Sequence, residues 1–204
     1  MIIHAGDIVD YNPWPSEVLE RIIELNVLTV MGNHDRDSAT GEPQGYNPYA
    51  EVSCLWTHNQ LNYEEKKHLA ELPKKLELEI EGVKLFVCHG SPFNMLDEYV
   101  FPPPATSTEE LTSFFGITKS DIIIMGHTHV PFVERLDDKI VLNPGGVGQP
   151  RDNISSASYM IMKLDQKKIE INHKRAGYDV EKVVEEIARK GLPPFLGHRL
   201  FHGI

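Results

Sequence analysis

The run Asp121-Ile122-Ile123-Ile124-Met125 limits the fold more than any other stretch of the chain. Consecutive β-branched residues bounded by polar ones form a buried strand. The strand leads straight into Gly126-His127-Thr128-His129. Extended backbone sends residues two apart to the same side, so His127 and His129 can converge on one point at the strand's C-terminal end. Neutral imidazole is the commonest metal-ligating side chain. A lone His-x-His is weak evidence, because surface histidines pair by chance. Three further stretches of the same build shift the balance.

Ile2-Ile3-His4-Ala5 reads as a short strand ending in Gly6-Asp7-Ile8-Val9-Asp10. Turn residues follow at 11–15, with Ser16 as N-cap of a helix whose apolar face runs from Val18 to Leu25. Val27 to Met31 is a second strand, and Gly32-Asn33-His34-Asp35 stands at its end. This strand–helix–strand order predicts a parallel unit whose sites lie at strand C-termini. Residues 36–50, rich in Gly, Pro, Ser and Asn, read as a long surface loop. A helix follows at about 49–59. Another is capped by Asn62 with Glu65 three residues on and runs toward Leu72.

Leu76 to Ile80 alternates and returns through Glu81-Gly82 to Val83–Cys88, a hairpin that ends at His89-Gly90. Residues 93–118 are expected to form a cap or rim excursion, with Ser107 starting a short helix. A hairpin at 132–142 precedes the glycine-rich loop Asn143 to Arg151. A second hairpin turns at Asp165-Gln166-Lys167. Asp179 caps an amphipathic helix that Gly191 stops, and 193–204 has no readable pattern. No repeat or linker divides the 204 residues, so one domain is expected.

Four strand-end loops thus carry carboxylate, amide and imidazole donors, a set that suits Zn, Mn or Fe more than Ca or Mg. Two ions about 3.5–4 Å apart can share one carboxylate, clamp a phosphate and acidify a water toward pKa ~7. Gly-Asp-x-x-Asp, Gly-Asn-His-Asp, His-Gly and Gly-His-x-His, in this order, resemble the motifs of the calcineurin-like metallophosphoesterase superfamily. The Asn143–Gly148 loop, Tyr178-Asp179-Val180-Glu181 and the stretch from Gly191-Leu192-Pro193 through Arg199-Leu200 resemble its small single-domain phosphodiesterase branch.

The resemblance implies an α/β fold in four layers, an α-β-β-α sandwich. It implies two divalent ions, Mn first and Fe, Zn, Ni or Co as alternatives. It makes Asp7 the bridging carboxylate, adds Asn33, His89 and His127 around one ion, and gives His129 to the other. His34 would act on the leaving group as general acid or charge stabiliser, with Asp35 orienting it. Asp10 would stand behind these groups. Hydrolysis of a phosphodiester or nucleotide by a metal-activated water follows as the expected function. A non-catalytic metal- or nucleotide-binding homologue and a protein Ser/Thr phosphatase are the competing readings.

The family's opening Asp-x-His strand has no counterpart, because Met1 stands six residues before Asp7. The expectation is therefore a missing first βα unit, one metal site nearly complete, and a second left with Asp7 and His129. Apolar surface would then lie uncovered.

Charge narrows the partners. Twenty basic against 30 acidic residues give a net −10, with no Lys/Arg stripe, so a large nucleic-acid surface is not expected. No apolar run approaches the roughly 20 residues of a membrane span, and the expected setting is cytoplasmic. A homo-oligomer is compatible with all of this. Arg151 is a candidate phosphate contact, equally readable as a surface ion pair. Tyr11, Trp14 and Tyr46 are candidate stacking groups, though core or rim packing is the commoner role. His4, His58, His68, His173, His198 and His202 fit no motif.

Overall fold

A computed structural model describes residues 1–165 and 168–204. The centre is a mixed five-stranded sheet made of β3 (Lys75–Ile80), β4 (Val83–Cys88), β5 (Ile122–Ile124), β6 (Phe132–Leu136) and β7 (Lys139–Asn143). Its order is β3-β4-β5-β7-β6. The three inner strands are parallel, with Leu85, Ile122 and Ile140 in one register row, and both edge strands are antiparallel hairpin partners. Parallel neighbours end on the same side, so His89, Gly126-His127 and the loop after Asn143 all emerge at one edge. Glu81 and Gly82 close the β3–β4 hairpin with φ of 51° and 75°, the left-handed pair that a two-residue turn demands.

The sheet is apolar on both faces. Val83, Leu85, Val87, Ile122, Ile124, Ile140 and Leu142 pack on one side, and Phe86, Cys88, Ile123, Met125 and Val141 on the other. The second face is covered by Leu111 and Phe114 of α5 (Thr108–Thr118). The expected rim excursion therefore ends before 118, since α5 belongs to the core. Phe114 is fully buried and meets Phe93 edge-on at 5.4 Å. Phe114→Ala should lower the unfolding free energy in urea titration by about 3–5 kcal/mol.

The first face meets two ribbons. One is β1 (Ile3–His4) beside β2 (Leu28–Thr29), parallel; the other is β8 (Ala157–Asp165) beside β9 (Lys168–Ala176), antiparallel. Ile3, Ala5 and Val30 from the first ribbon, and Met160, Met162, Leu164, Ile169 and Ile171 from the second, contact the sheet. The turn expected between β8 and β9 falls on 166 and 167, outside the described residues. Behind the first ribbon, Leu19 of α1 (Pro15–Glu24), Leu69 of α4 (Tyr63–Ala70) and Leu61, at the end of α3 (Pro48–Gln60), pack against Ile8, Val9 and Met31. Helices, ribbons, five-stranded sheet and α5 give the four layers expected of the fold. Among the described residues β1 and β8 each pair with a single strand. Ile2, Ile23 and Leu25 beside the first ribbon are exposed, as are Tyr159 and Ile161 of β8.

Three local expectations change. Residues 36–40 are not loop: α2 runs Asn33–Thr40 and stops at Gly41 with φ 74°. Its buried face is polar, made of Asn33, His34, Asp35, Asp37 and Ser38, so no hydrophobic period announces it. The 193–204 tail holds α7 (Pro194–His202), begun by proline and closed by Gly203 with φ 62°. It packs Leu196 and Leu200 on Ile187 of α6 (Val180–Arg189). The N-cap of α1 is Trp14 with Pro15 at the first helical position, not Ser16. The caps read at Asn62, Ser107 and Asp179 accept the expected backbone N–H groups.

Candidate active site

β1 and β2 deliver Gly6-Asp7 and Gly32-Asn33; β4 and β5 deliver His89 and His127. The backbone there is held in unusual conformations: Asp7, Asp10, Tyr11, His127 and His129 all have positive φ, between 59° and 87°. Non-glycine residues in this region cost of order 1–3 kcal/mol each, and such strain collects at functional sites. Gly32 has no freedom to be anything larger, because a Cβ there would overlap the Asp7 amide and carboxylate.

His89 is the hub. Its Nε2 lies 3.1 Å from Asp7 Oδ2, 3.1 Å from Asn33 Oδ1 and 3.0 Å from His127 Nδ1. Each of these atoms is turned inward by a bond made behind it. His89 Nδ1–H donates to the Ala5 carbonyl at 2.7 Å, leaving Nε2 as a lone pair. The Asn33 amide nitrogen donates to the Tyr46 hydroxyl at 3.0 Å, so the amide oxygen faces the cluster. Four acceptor atoms from four loops therefore point at one another with a single proton's worth of donor capacity among them. A cation placed among them would be attracted by every one of these atoms. Asp7, His89 and His127 offer donor atoms within 4.8 Å of one another, and their nitrogen-and-oxygen set fits a first-row divalent ion. His127 Nε2, on the far side of the ring, is buried without a hydrogen-bond partner.

The electrostatics agree. Burial alone would raise the Asp7 carboxyl, but the charges of His89 and His34 override it and hold it far below the carboxylate range. Burial disfavours charge on His89, yet the Asp7 carboxylate outweighs it and raises the imidazole above its ordinary value. Burial and His89 lower His127 to about 4, and burial and Arg151 lower His129 to about 3. Both are therefore neutral, ligand-ready imidazoles near pH 7. His129 stands apart from the cluster, its Nδ1–H donating to the Gln149 carbonyl at 2.6 Å and its Nε2 left free.

His34 sits beside this centre. Its Nδ1 is 2.6 Å from Asp10 Oδ2, and Asp10 also accepts from Ser53 at 2.5 Å and Thr57 at 3.3 Å. The ring is stacked on Tyr46 and tilted against Tyr11, both at 4.6 Å. The partner of His34 is thus Asp10, not the Asp35 that the resemblance implies. Asp35 lies in the first turn of α2 with its carboxylate turned to backbone. It accepts from the amides of Gly32, Asp7, Ile8 and Val9 at 2.9, 2.9, 2.7 and 3.3 Å. It holds the Asp7 loop rather than an imidazole. Burial and the Asp7 charge raise it to about 7, against the pull of those amides.

Sequence reasoning misses two groups beside the site. Tyr99, from the segment before α5, lays its ring 3.8 Å from that of His127 and remains 54% exposed. Arg199 of α7 stands 5.9 Å over the Tyr11 ring, and Arg151 stands at the same distance from it. No local signal marks Tyr99 or Arg199, since a tyrosine in a proline-rich loop and an arginine near a terminus are ordinary.

Comparison with known proteins gives the same answer as the geometry. The calcineurin-like phosphoesterase superfamily domain matches residues 1–167. An uncharacterized protein of Methanocaldococcus jannaschii is 38% identical over 219 residues, spanning 99% of this chain and 86% of that one. The Escherichia coli phosphodiesterase YfcE is 24% identical over 174 residues, spanning 80% and 72%. Among solved structures, a metallophosphoesterase from Sphaerobacter thermophilus superposes with a TM-score of 0.81 at 30% identity, covering 98% of this chain and 87% of its own. With its strand-end ligands, its layered sheets and its sequence in agreement, the chain belongs to the calcineurin-like phosphoesterase superfamily.

Proposed function

We propose that this chain hydrolyses a phosphodiester or nucleotide phosphoester at a divalent ion held by Asp7, Asn33, His89 and His127, with Mn first among the candidates. The observation that carries the reading is the convergence of four lone-pair donors beside an imidazole–carboxylate pair that takes no part in them. Such an ion neutralises phosphoryl oxygens and acidifies a water. The chain's residues do the rest. Asp35 fixes the Asp7 loop through four amides, the Ala5 carbonyl and Tyr46 hydroxyl aim His89 and Asn33, and His34 holds a proton at the position of a departing oxygen. Asp10 keeps that proton on His34. A diester or nucleotide is favoured over a phosphoprotein by the likeness to phosphodiesterase YfcE. Asp7 and His129 are the groups available to a second, weaker ion.

Titrating Mn²⁺ into chelator-treated protein tests the site first. At a concentration 100 times Kd the ion adds about 2.7 kcal/mol to a fold that alone can bind it, which should raise Tm by roughly 5–11 °C at this size. Elemental analysis after gel filtration should find one tightly held ion per chain. The loaded protein should then release p-nitrophenol from bis-p-nitrophenyl phosphate. Ion and nucleotide binding without turnover would instead make it a binding protein, and activity confined to phosphopeptides would make it a protein phosphatase.

A further inference from the structure

The Asp7 centre does not exhaust the chain's imidazoles. The last helix contains His198-Arg199-Leu200-Phe201-His202, two histidines four residues apart. Side chains at that spacing share one face of a helix, a turn apart, and the same spacing carries the paired zinc ligands of helical metal sites. Only the spacing is shared, since Arg199 stands where those sites keep a glutamate. The two rings lie with centroids 5.0 Å apart and planes inclined at 47°. Both residues are exposed, whereas Leu196 and Leu200 of the same helix are buried. Neither ring makes a hydrogen bond or ion pair among the described residues. The separation is the one that a shared ion requires. A first-row ion binds imidazole nitrogen at about 2.0–2.1 Å, which puts the ring centroid about 3.2 Å from the ion. Two rings at the tetrahedral angle then have centroids about 5.2 Å apart, and at a right angle about 4.5 Å. The observed 5.0 Å falls between the two. Packing offers a weaker account: a side-chain pair at this spacing stabilises a helix by about 0.2–0.5 kcal/mol, and both rings stay in contact with water. The helix is also held ready for an ion. Pro194 starts it, Gly203 closes it with φ 62°, and Leu196 and Leu200 pack on Ile187. Binding therefore costs the ordering of two side chains and no backbone.

We propose that His198 and His202 form a second metal site, a helix-borne pair of imidazoles that takes a late first-row divalent ion, Cu²⁺ above Ni²⁺ or Zn²⁺. Its selectivity differs from that of the Asp7 centre for a chemical reason. Asp7 and Asn33 bring oxygen donors to that centre, and oxygen suits Mn²⁺. No third histidine, cysteine or carboxylate joins the helical pair among the described residues, and imidazole alone suits the ions at the copper end of the series. Two protein ligands leave at least two coordination positions to water, so the ion is exchangeable rather than enclosed. The site does not depend on the phosphoesterase reading above.

The test is calorimetric titration of Cu²⁺ into chelator-treated protein without an affinity tag, in the parent, His198→Gln, His202→Gln and the double variant. Glutamine favours helix at least as well as histidine, and both positions are exposed, so the fold is kept. The parent should show one Cu²⁺ equivalent that each single substitution weakens about tenfold or more. The double variant should do no worse than a single one, because a chelate is lost when either arm goes. The electron paramagnetic resonance signal that disappears with this equivalent should carry splitting from two imidazole nitrogens. Mn²⁺ at the same concentration should leave the pair unfilled, giving parent and variants the same Mn²⁺ content. A parent that binds no more Cu²⁺ than the variants overturns the proposal. So does a loss confined to one of the two substitutions. Losses that add in the double variant overturn it as well, since they describe two histidines each holding its own ion. Mn²⁺ uptake that falls with the same substitutions would overturn the selectivity.

Discussion

Asp7→Asn is expected to leave the protein folded, strip it of its divalent ion and slow hydrolysis of bis-p-nitrophenyl phosphate at least about a thousandfold. The substitution isolates charge from shape. Asp7 Oδ1 accepts the His34 amide at 3.0 Å, and an asparagine carbonyl can go on doing so. The other oxygen, 3.1 Å from His89 Nε2, would become an NH₂ aimed at lone pairs, a donor where the cluster needs a formal negative charge. A cation held by neutral donors alone loses several kcal/mol of attraction in a buried pocket, and each 1.4 kcal/mol is tenfold. Asn33→Ala removes a neutral ligand and should cost less. Ion content per chain and kcat are the measurements. Parent-like ion content in Asp7→Asn would show that the charge at the centre comes from elsewhere. Removing the Asp7 charge also relieves Asp35, whose carboxyl it helps raise, so the four amides that brace the loop are retained in the variant.

The ligand loops could be read from the sequence because each joins a patterned strand to a glycine next to a donor. Asp7, Asn33, His89 and His127 do come together, and the layered fold is the one the family resemblance implies. What could not be read is the part made by polar burial. In α2 the buried face is Asn33, His34, Asp35, Asp37 and Ser38; hydrophobic periodicity has nothing to register there, although Gly41 marks the helix end. The exchange of Asp35 for Asp10 has a similar cause. The resemblance gives Asp35 the part, but side chains one apart on a helix do not face each other, whereas Asp10 comes from another loop. Arg199 could not be picked out because the ring it stands over, Tyr11, is far away in the chain. The α7 helix around it was legible in principle, with Pro194 opening, Leu196 and Leu200 one turn apart and Gly203 closing.

His34→Ala should keep the ion and lose about 10²–10⁴ in kcat on esters with alcohol leaving groups. On p-nitrophenyl esters, whose leaving group departs without a proton, the loss should be smaller. That contrast is what separates proton delivery from mere positioning, which would slow both alike. The imidazole is built for the task. Burial works against its charge, but Asp7 and then the 2.6 Å contact with Asp10 raise its pKa above the ordinary value. A bound ion offsets the pull of Asp7, leaving Asp10 as the group that keeps the proton in place. A general acid must be protonated to act, so kcat falls as pH rises through the His34 pKa. Asp10→Asn removes the charge that raises it, and the alkaline limb of the pH–rate profile should therefore move to lower pH. Ser53 and Thr57 donate to Asp10 Oδ1, and an asparagine oxygen preserves both bonds, so the displacement reports charge rather than collapse. A limb that stays where it was in Asp10→Asn, or an equal loss on good and poor leaving groups in His34→Ala, would remove His34 from the proton's path.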